Sequence, residues 1–220
     1  KQQDEKKPSV ELKKEIARCN NIQMARKIQL NSAYGAIGNE HFRYYRLEIA
    51  EAITMSGQLS TRWIENKMNE YLNKLLSTED VDYVIASDTD SIYLNLGPLV
   101  DKFFSAKSGD KAAIVGILDK ICQEKLEPFI ESSYQELADY VAAYEQKMKM
   151  KRENIADRAI WTAKKRYILN VWDSEGVRYA QPKMKICGME TARSSTPAFF
   201  RDKLLKAYEI IINEDNDVLI

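Results

Sequence analysis

The sequence contains one histidine among 220 residues, and that scarcity excludes a good deal. A histidine-rich zinc site is ruled out, and a Ser-His-Asp triad is disfavoured because only His41 is available to serve as its base. Cysteine is nearly as sparse. Cys19, Cys122 and Cys187 are widely scattered and odd in number, which fits reduced thiols better than a disulfide framework. With Asp, Glu and scattered Cys left as donors, any metal is expected to be Mg²⁺ or Mn²⁺. No run of about eighteen apolar residues occurs, so no membrane helix is expected. Lys1–Lys7 is polar and unlike a signal peptide, which predicts a soluble, cytoplasmic chain. Internal repeats and low-complexity segments are absent too.

Net charge is also missing, with 33 basic against 33 acidic residues, but the charges are unevenly spread. Residues 48–144 carry 8 basic and 17 acidic side chains, whereas residues 145–206 carry 15 and 7. An acidic middle and a basic later segment predict one face suited to phosphates and another suited to solvent or metal.

The richest stretch is Ala86-Ser87-Asp88-Thr89-Asp90-Ser91. Val81, Tyr83 and Ile85 alternate before it, and Ile92, Leu94 and Leu96 after it, predicting two short strands joined by a tight turn. A hairpin tip carrying Asp88 and Asp90 places two hard oxygen ligands close enough to share Mg²⁺ ions. The same residues are ordinary turn formers, and a solvated tip needs no metal.

Residues 9–36 read as helix, with a break near Asn20-Asn21 and Gly35 and Gly38 as stop signals. Lys27, Asn31 and Tyr34, spaced i, i+4, i+7, fall within one narrow arc of that helix. A cation, an amide and an aromatic hydroxyl in line suit a nucleotide, and equally suit a solvated face with a half-buried Tyr. A second helix is predicted from Leu47 to Leu76, with a core stripe of Ile49, Ile53, Leu59, Trp63, Ile64, Met68, Tyr71, Leu72 and Leu75. Residues 98–143 read as two or three helices, one capped by Asp110 and another opened by Pro128. Strands are predicted at Lys147–Lys151, Ala159–Thr162, Tyr167–Trp172, Val177–Ala180 and Lys183–Cys187, with a loop between Ile155 and Trp161. A last helix opens at Thr196-Pro197. The class is therefore α+β, with helices packed on one face of an antiparallel sheet.

Lys164-Lys165-Arg166-Tyr167 sets three cations before an apolar strand. Alternation predicts Lys165 and Tyr167 on one face and Arg166 on the other, an arrangement able to clamp a nucleic-acid backbone.

In this order, the Lys27–Gly35 helix, the Asp88–Ser91 hairpin and the Lys164–Tyr167 strand resemble motifs of the family B (α-like) DNA polymerases, those of T-even-type bacteriophages in particular. His41–Tyr45, Lys185–Glu190 and Ser194–Pro197 add to the similarity, which covers essentially the whole chain. The resemblance implies nucleotidyl transfer from a dNTP to a primer 3′-hydroxyl on primer–template DNA, with two Mg²⁺ or Mn²⁺ ions. It implies Asp88 and Asp90 as catalytic metal ligands, Asp90 the stronger, with Glu153 as an auxiliary carboxylate. Lys27 would meet the triphosphate, and Asn31 and Tyr34 would line the nascent base pair. Lys164, Lys165, Arg166 and Tyr167 would hold the primer. A helix-stabilising hydrogen bond remains the alternative for Asn31; Glu175, in a hairpin turn, reads as a plain turn residue, with an accessory metal ligand as its alternative.

By the same resemblance, residues 1–38 are the end of the fingers, 39–193 the palm and 194–220 the start of the thumb. Several family features are not found: the metal-binding aspartate of motif A, the proofreading exonuclease and the other fingers helix. Ser87 stands where the family usually has Gly. Lys151-Arg152-Glu153 replaces an acid-Arg-Glu tripeptide, and the loop after Ile155 is shorter than in phage relatives. The expectation is thus a split or truncated polymerase, inactive alone. It would need a complementing polypeptide with motif A and the exonuclease, and would self-associate through an exposed sheet edge. The alternative is a non-catalytic DNA-binding or assembly module.

Overall fold

The computed structural model describes residues 10–104 and 110–213. The polar ends, Lys1–Lys7 and the stretch after Asn213, lie outside them. The chain divides into two compact units, Lys1–Leu59 and Ser60–Ile220.

In the first unit, α1 (Val10–Ile37) runs without interruption through Asn20-Asn21. Asn costs a helix only a few tenths of a kcal/mol per residue, so the expected break does not occur. No described residue of α1 is buried. Its apolar positions are scattered around the circumference rather than gathered in a stripe, so Ile28 and Leu30 stay 57% and 72% exposed. A short turn follows, in which Arg46 N–H donates to Ile37 C=O at 3.0 Å, and α2 (Leu47–Leu76) begins. The boundary between the units falls inside α2.

In the second unit, α2 buries the line Ile64, Met68, Leu72 and Leu76, spaced four apart. The upstream part of the expected stripe is different: Ile49, Ile53 and Leu59 are each about half exposed, and Leu75 is also exposed. The buried line packs with Tyr83, Val84, Leu99, Val115, Leu118, Leu126, Ile130, Tyr134 and Ile155 into the main core. Two asparagines of α2 fix the loop that feeds the first strand. Asn69 Oδ1 accepts from the N–H groups of Tyr83 (2.9 Å) and Val84 (3.1 Å). Asn73 both accepts from Val81 N–H and donates to Val81 C=O.

That loop leads into a hairpin of β1 (Val84–Asp88) and β2 (Ser91–Leu94), an antiparallel two-stranded sheet with Asp88 opposite Ser91. Three helices follow: α3 (Gly97–Phe104), α4 (Lys111–Ile121) and α5 (Glu127–Tyr140). Asp110 caps α4 as expected, its carboxylate accepting from Ala113 N–H at 3.0 Å. Between α4 and α5 the chain does not break but widens into a π turn, Cys122–Leu126. The wide turn accommodates Pro128, which has no N–H to donate to the preceding turn.

The remaining strands form a second antiparallel sheet, ordered β3 (Asn154–Ala163), β4 (Arg166–Ser174), β5 (Val177–Cys187). The α+β class holds, with the strands divided between two sheets. Three local expectations are corrected. Lys147–Lys151 is not a strand: Gln146 satisfies the Met148 backbone itself, accepting from its N–H and donating to its C=O. The segment from Ile155 to Trp161 is strand rather than loop. Val177–Ala180 and Lys183–Cys187 belong to one edge strand, with Pro182 tolerated where the register to β4 shifts. A 3₁₀ turn (Glu190–Ala192) precedes α6 (Ala198–Asn213), which Pro197 opens. Tyr208 and Ile212 of α6 pack on Ile168 and Met189.

A charged cluster ties α4 to the sheet. Arg152 donates to Asp173, which is fully buried, and to Asp119 at 2.6 Å. Arg178 approaches both carboxylates, at 3.6 Å from Asp173 and 3.3 Å from Asp119. Burial pushes the Asp119 carboxyl up, but the hydrogen bond and charge of Arg152, then those of Arg178, hold it below its ordinary value. A carboxyl depressed on folding stabilises the fold above its unfolded pKa of about 3.9, and the contribution disappears as pH falls through the lower folded pKa. Asp119→Asn is therefore expected to destabilise the fold at neutral pH and to lessen its further loss of stability below about pH 4. Urea midpoints measured across that range check the sign.

Candidate active site

The tip of the β1–β2 hairpin is a two-residue turn, Thr89-Asp90. Asp88, the last residue of β1, is half-buried. Its Oδ1 accepts from Thr89 N–H at 2.8 Å and Thr89 Oγ1 at 3.0 Å, and faces Lys165 Nζ at 3.6 Å. The Thr89 N–H, with the Thr89 hydroxyl and Lys165 behind it, holds the Asp88 carboxyl below its ordinary value, so it is ionised at neutral pH. Asp90 is exposed at the tip. The helix α2 braces this turn through Thr61 Oγ1, which donates to Thr89 C=O at 3.0 Å.

Lys164 and Lys165 form the turn between β3 and β4, where Ala163 pairs with Arg166. The expected strand alternation of Lys165 and Tyr167 therefore does not hold. Lys165 sits at φ 61, in the left-handed region that short hairpins require and Lys rarely adopts. The turn delivers its ammonium to Asp88. Arg166 points elsewhere, into an ion pair with Glu190. Tyr167 lies in an aromatic cluster, its ring centroid 5.6 Å from Tyr93 and 6.4 Å from Trp161. Burial, then Tyr93, pushes the Tyr167 phenol up, so it stays a neutral hydrogen-bond donor.

Tyr93 and Trp161 were not among the residues singled out by motif. The available signal was Tyr93 itself, an aromatic on the face of β2 opposite Ile92 and Leu94. Glu153 just precedes β3, at the opposite end of the β3–β4 hairpin from Lys164 and Lys165, since Asn154 pairs with Ser174. Its carbonyl accepts from Glu175 N–H in the far turn. Lys27, Asn31 and Tyr34 are all exposed on α1 in the first unit. Beside Tyr34 an open cleft of about 320 Å³ is lined by Gly38, Leu47, Ala50 and Glu51 among others.

The donors at the tip are hard carboxylate oxygens, the right kind for a divalent cation. Their number is insufficient. Among the described residues, no group of three His, Cys, Asp or Glu side chains is placed to hold a metal ion.

The profile of DNA polymerase family B matches residues 6–125 of this chain. The chain belongs to DNA polymerase family B. Among curated relatives it is 44% identical over 200 residues to the DNA-directed DNA polymerase of Escherichia phage RB69, covering 87% of this chain. It is 41% identical over 215 residues to that of Enterobacteria phage T4, covering 94%. DNA polymerase 1 of Aeropyrum pernix is 22% identical over 190 residues. The aligned region spans 22% of the RB69 protein and 24% of the T4 protein. As a family B polymerase sequence of T-even type, this one carries its Asp-Thr-Asp-Ser and Lys-Lys-Arg-Tyr segments on two hairpin turns that meet through Asp88 and Lys165. Among the described residues, no helix is long and apolar enough to cross a membrane.

Proposed function

We propose that these residues supply part of the polymerising centre of a DNA-directed DNA polymerase, working in the cytoplasm of a host cell. The observation that carries this reading is the 3.6 Å approach of Lys165 to Asp88, which joins two separate family motifs at one point. Asp88 and Asp90 would hold Mg²⁺ or Mn²⁺ there, with at least one further carboxylate supplied by the complementing part. Bound divalent cations supply charge neutralisation at the triphosphate and at the primer 3′-oxygen. Glu153 is the auxiliary carboxylate of the sequence resemblance, and its position at the far end of the hairpin makes it the weakest member of the set.

The chain's own residues bind and orient. Lys165, with Lys164 beside it, meets the phosphates of the primer end, and the Tyr167 phenol donates to its sugar or base edge. Arg166, paired with Glu190, supports this turn and adds its charge to the primer contact. Lys27 meets the dNTP triphosphate, and Asn31 and Tyr34 line the nascent base pair. The divisions at residues 1–38, 39–193 and 194–220, as fingers, palm and thumb, belong to the same proposal.

A two-stranded sheet leaves unpaired edges. We assign these to a strand of the complementing part, or to a second copy of this chain when that part is missing. The test is primer extension with Mg²⁺. The chain alone is expected to give none. Adding a polypeptide with motif A and the exonuclease domain is expected to restore it. Extension by the chain alone would refute the incomplete-site reading. No extension in the mixture, with DNA still bound, would favour a binding or assembly module.

A further inference from the structure

The Lys164–Lys165 turn does not hold its own shape cheaply, because Lys165 is in the left-handed region with no glycine or asparagine to ease it. Something must fix it. Gly188, just past the Tyr167–Cys187 pair that ends the β4–β5 ladder, packs closely against the Lys165 peptide. It has φ 64, and a Cβ there would lie 2.1 Å from the Lys165 carbonyl oxygen and 3.2 Å from Arg166 Cγ. Two residues on, Glu190 takes the Arg166 guanidinium. Glu190 is itself anchored to the last helix: its carbonyl accepts from Thr196 Oγ1 at 2.6 Å, and its carboxylate lies 3.5 Å from Tyr208 Oη. Between them, Met189 is buried against Ile168, Tyr208 and Ile212.

We propose that Gly188-Met189-Glu190 is a seat for the Lys164–Lys165 turn, and that Gly188 and Glu190 are positioning residues that act through Lys165. Gly188 allows the close backbone approach, Glu190 clamps the neighbouring guanidinium, and Met189 fastens both to α6. The Lys165 ammonium is thereby held at the Asp88 carboxylate. This inference rests on the nucleotidyl-transfer reading above.

A methyl at Gly188 meets backbone, which cannot swing aside as a side-chain end would. The Lys165 carbonyl must retreat by about 1 Å. A misplacement of that size is enough to cost on the order of 100-fold in turnover. The test is a double-mutant cycle in the complete polymerase, this chain with its complementing part, read as kcat and KM in primer extension. Gly188→Ala is expected to lower kcat on the order of 100-fold with little change in KM for dNTP. In a Lys165→Ala background, Gly188→Ala is expected to have a much smaller further effect, limited to what Lys164 on the same turn contributes, whereas a merely structural defect would cost the same in both backgrounds. Glu190→Gln, which adds no bulk, is expected to give a smaller loss that also shrinks in that background, and it decides the matter should Gly188→Ala not fold. Full activity of both variants, or losses that multiply with that of Lys165→Ala, would overturn the seat. Asp90→Asn run alongside separates the two levels. If it is fully active, the polymerase reading fails and the seat with it. If it is inactive while Gly188→Ala and Glu190→Gln are both unimpaired, only the seat fails.

Discussion

Asp90→Asn will remove primer extension from the complete polymerase by on the order of 1,000-fold, while Asp88→Asn will cost considerably less. The difference follows from what each carboxylate is already doing. Asp88 has one oxygen committed to the Thr89 N–H and hydroxyl and faces the Lys165 ammonium. Asp90 stands exposed at the turn, and among the described residues no hydrogen bond or ion pair engages its carboxylate. On the proposed reading, Asp90 can give its full charge to a divalent cation. An amide at position 90 keeps the shape and loses that charge, at a cost of several kcal/mol in transition-state stabilisation, and about 1.4 kcal/mol is tenfold in rate. An amide at position 88 still accepts from Thr89, so the turn survives and only part of the field is lost. Folding should be unaffected by Asp90→Asn, since an exposed substitution of this kind stays within about 0.5 kcal/mol. Single-turnover extension rates with thermal melts on the same samples check both halves. Equal losses at the two positions would count against this division of labour.

Sequence periodicity gave much of this architecture. The Leu47–Leu76 helix, the hairpin around Asp88 and Asp90, the Asp110 cap and the Pro197 helix start all follow from local rules: apolar spacing, turn residues, caps. What local rules missed has non-local causes. Lys164-Lys165 has none of the glycine or asparagine that marks a tight hairpin, and the backbone it packs against, at Gly188, is more than twenty residues away. Gln146 replaces a neighbouring strand at Met148 with its own side chain. Ile49, Ile53 and Leu59 have the spacing of a core stripe and are nevertheless exposed. Spacing alone reports that residues share a face, not what covers it. The site was legible as two motifs. That they touch, and that they do so through Asp88 and Lys165, was not.

Arg152→Met will destabilise the second unit by about 3–5 kcal/mol, the range measured when one partner of a buried ion pair is removed. Three features place this substitution at the costly end. Asp173 is completely buried, so losing Arg152 leaves a carboxylate away from water. Its remaining charged neighbour, Arg178, approaches only to 3.6 Å and is half exposed, so it screens the site poorly. Asp119 loses its 2.6 Å partner in the same step. The Met side chain fills much of the volume, so the loss reports uncompensated charge rather than a cavity. If that is its origin, Asp173→Asn placed on top of Arg152→Met will recover part of the stability, because the stranded group is no longer a charge. The Gly176 N–H that donates to Asp173 at 2.9 Å will then still find a carbonyl-type acceptor. Denaturant unfolding of the two variants measures both steps. A loss below about 1 kcal/mol for Arg152→Met, or no recovery in the double variant, would mean that water reaches Asp173 and that the cluster does not clamp α4 to the sheet.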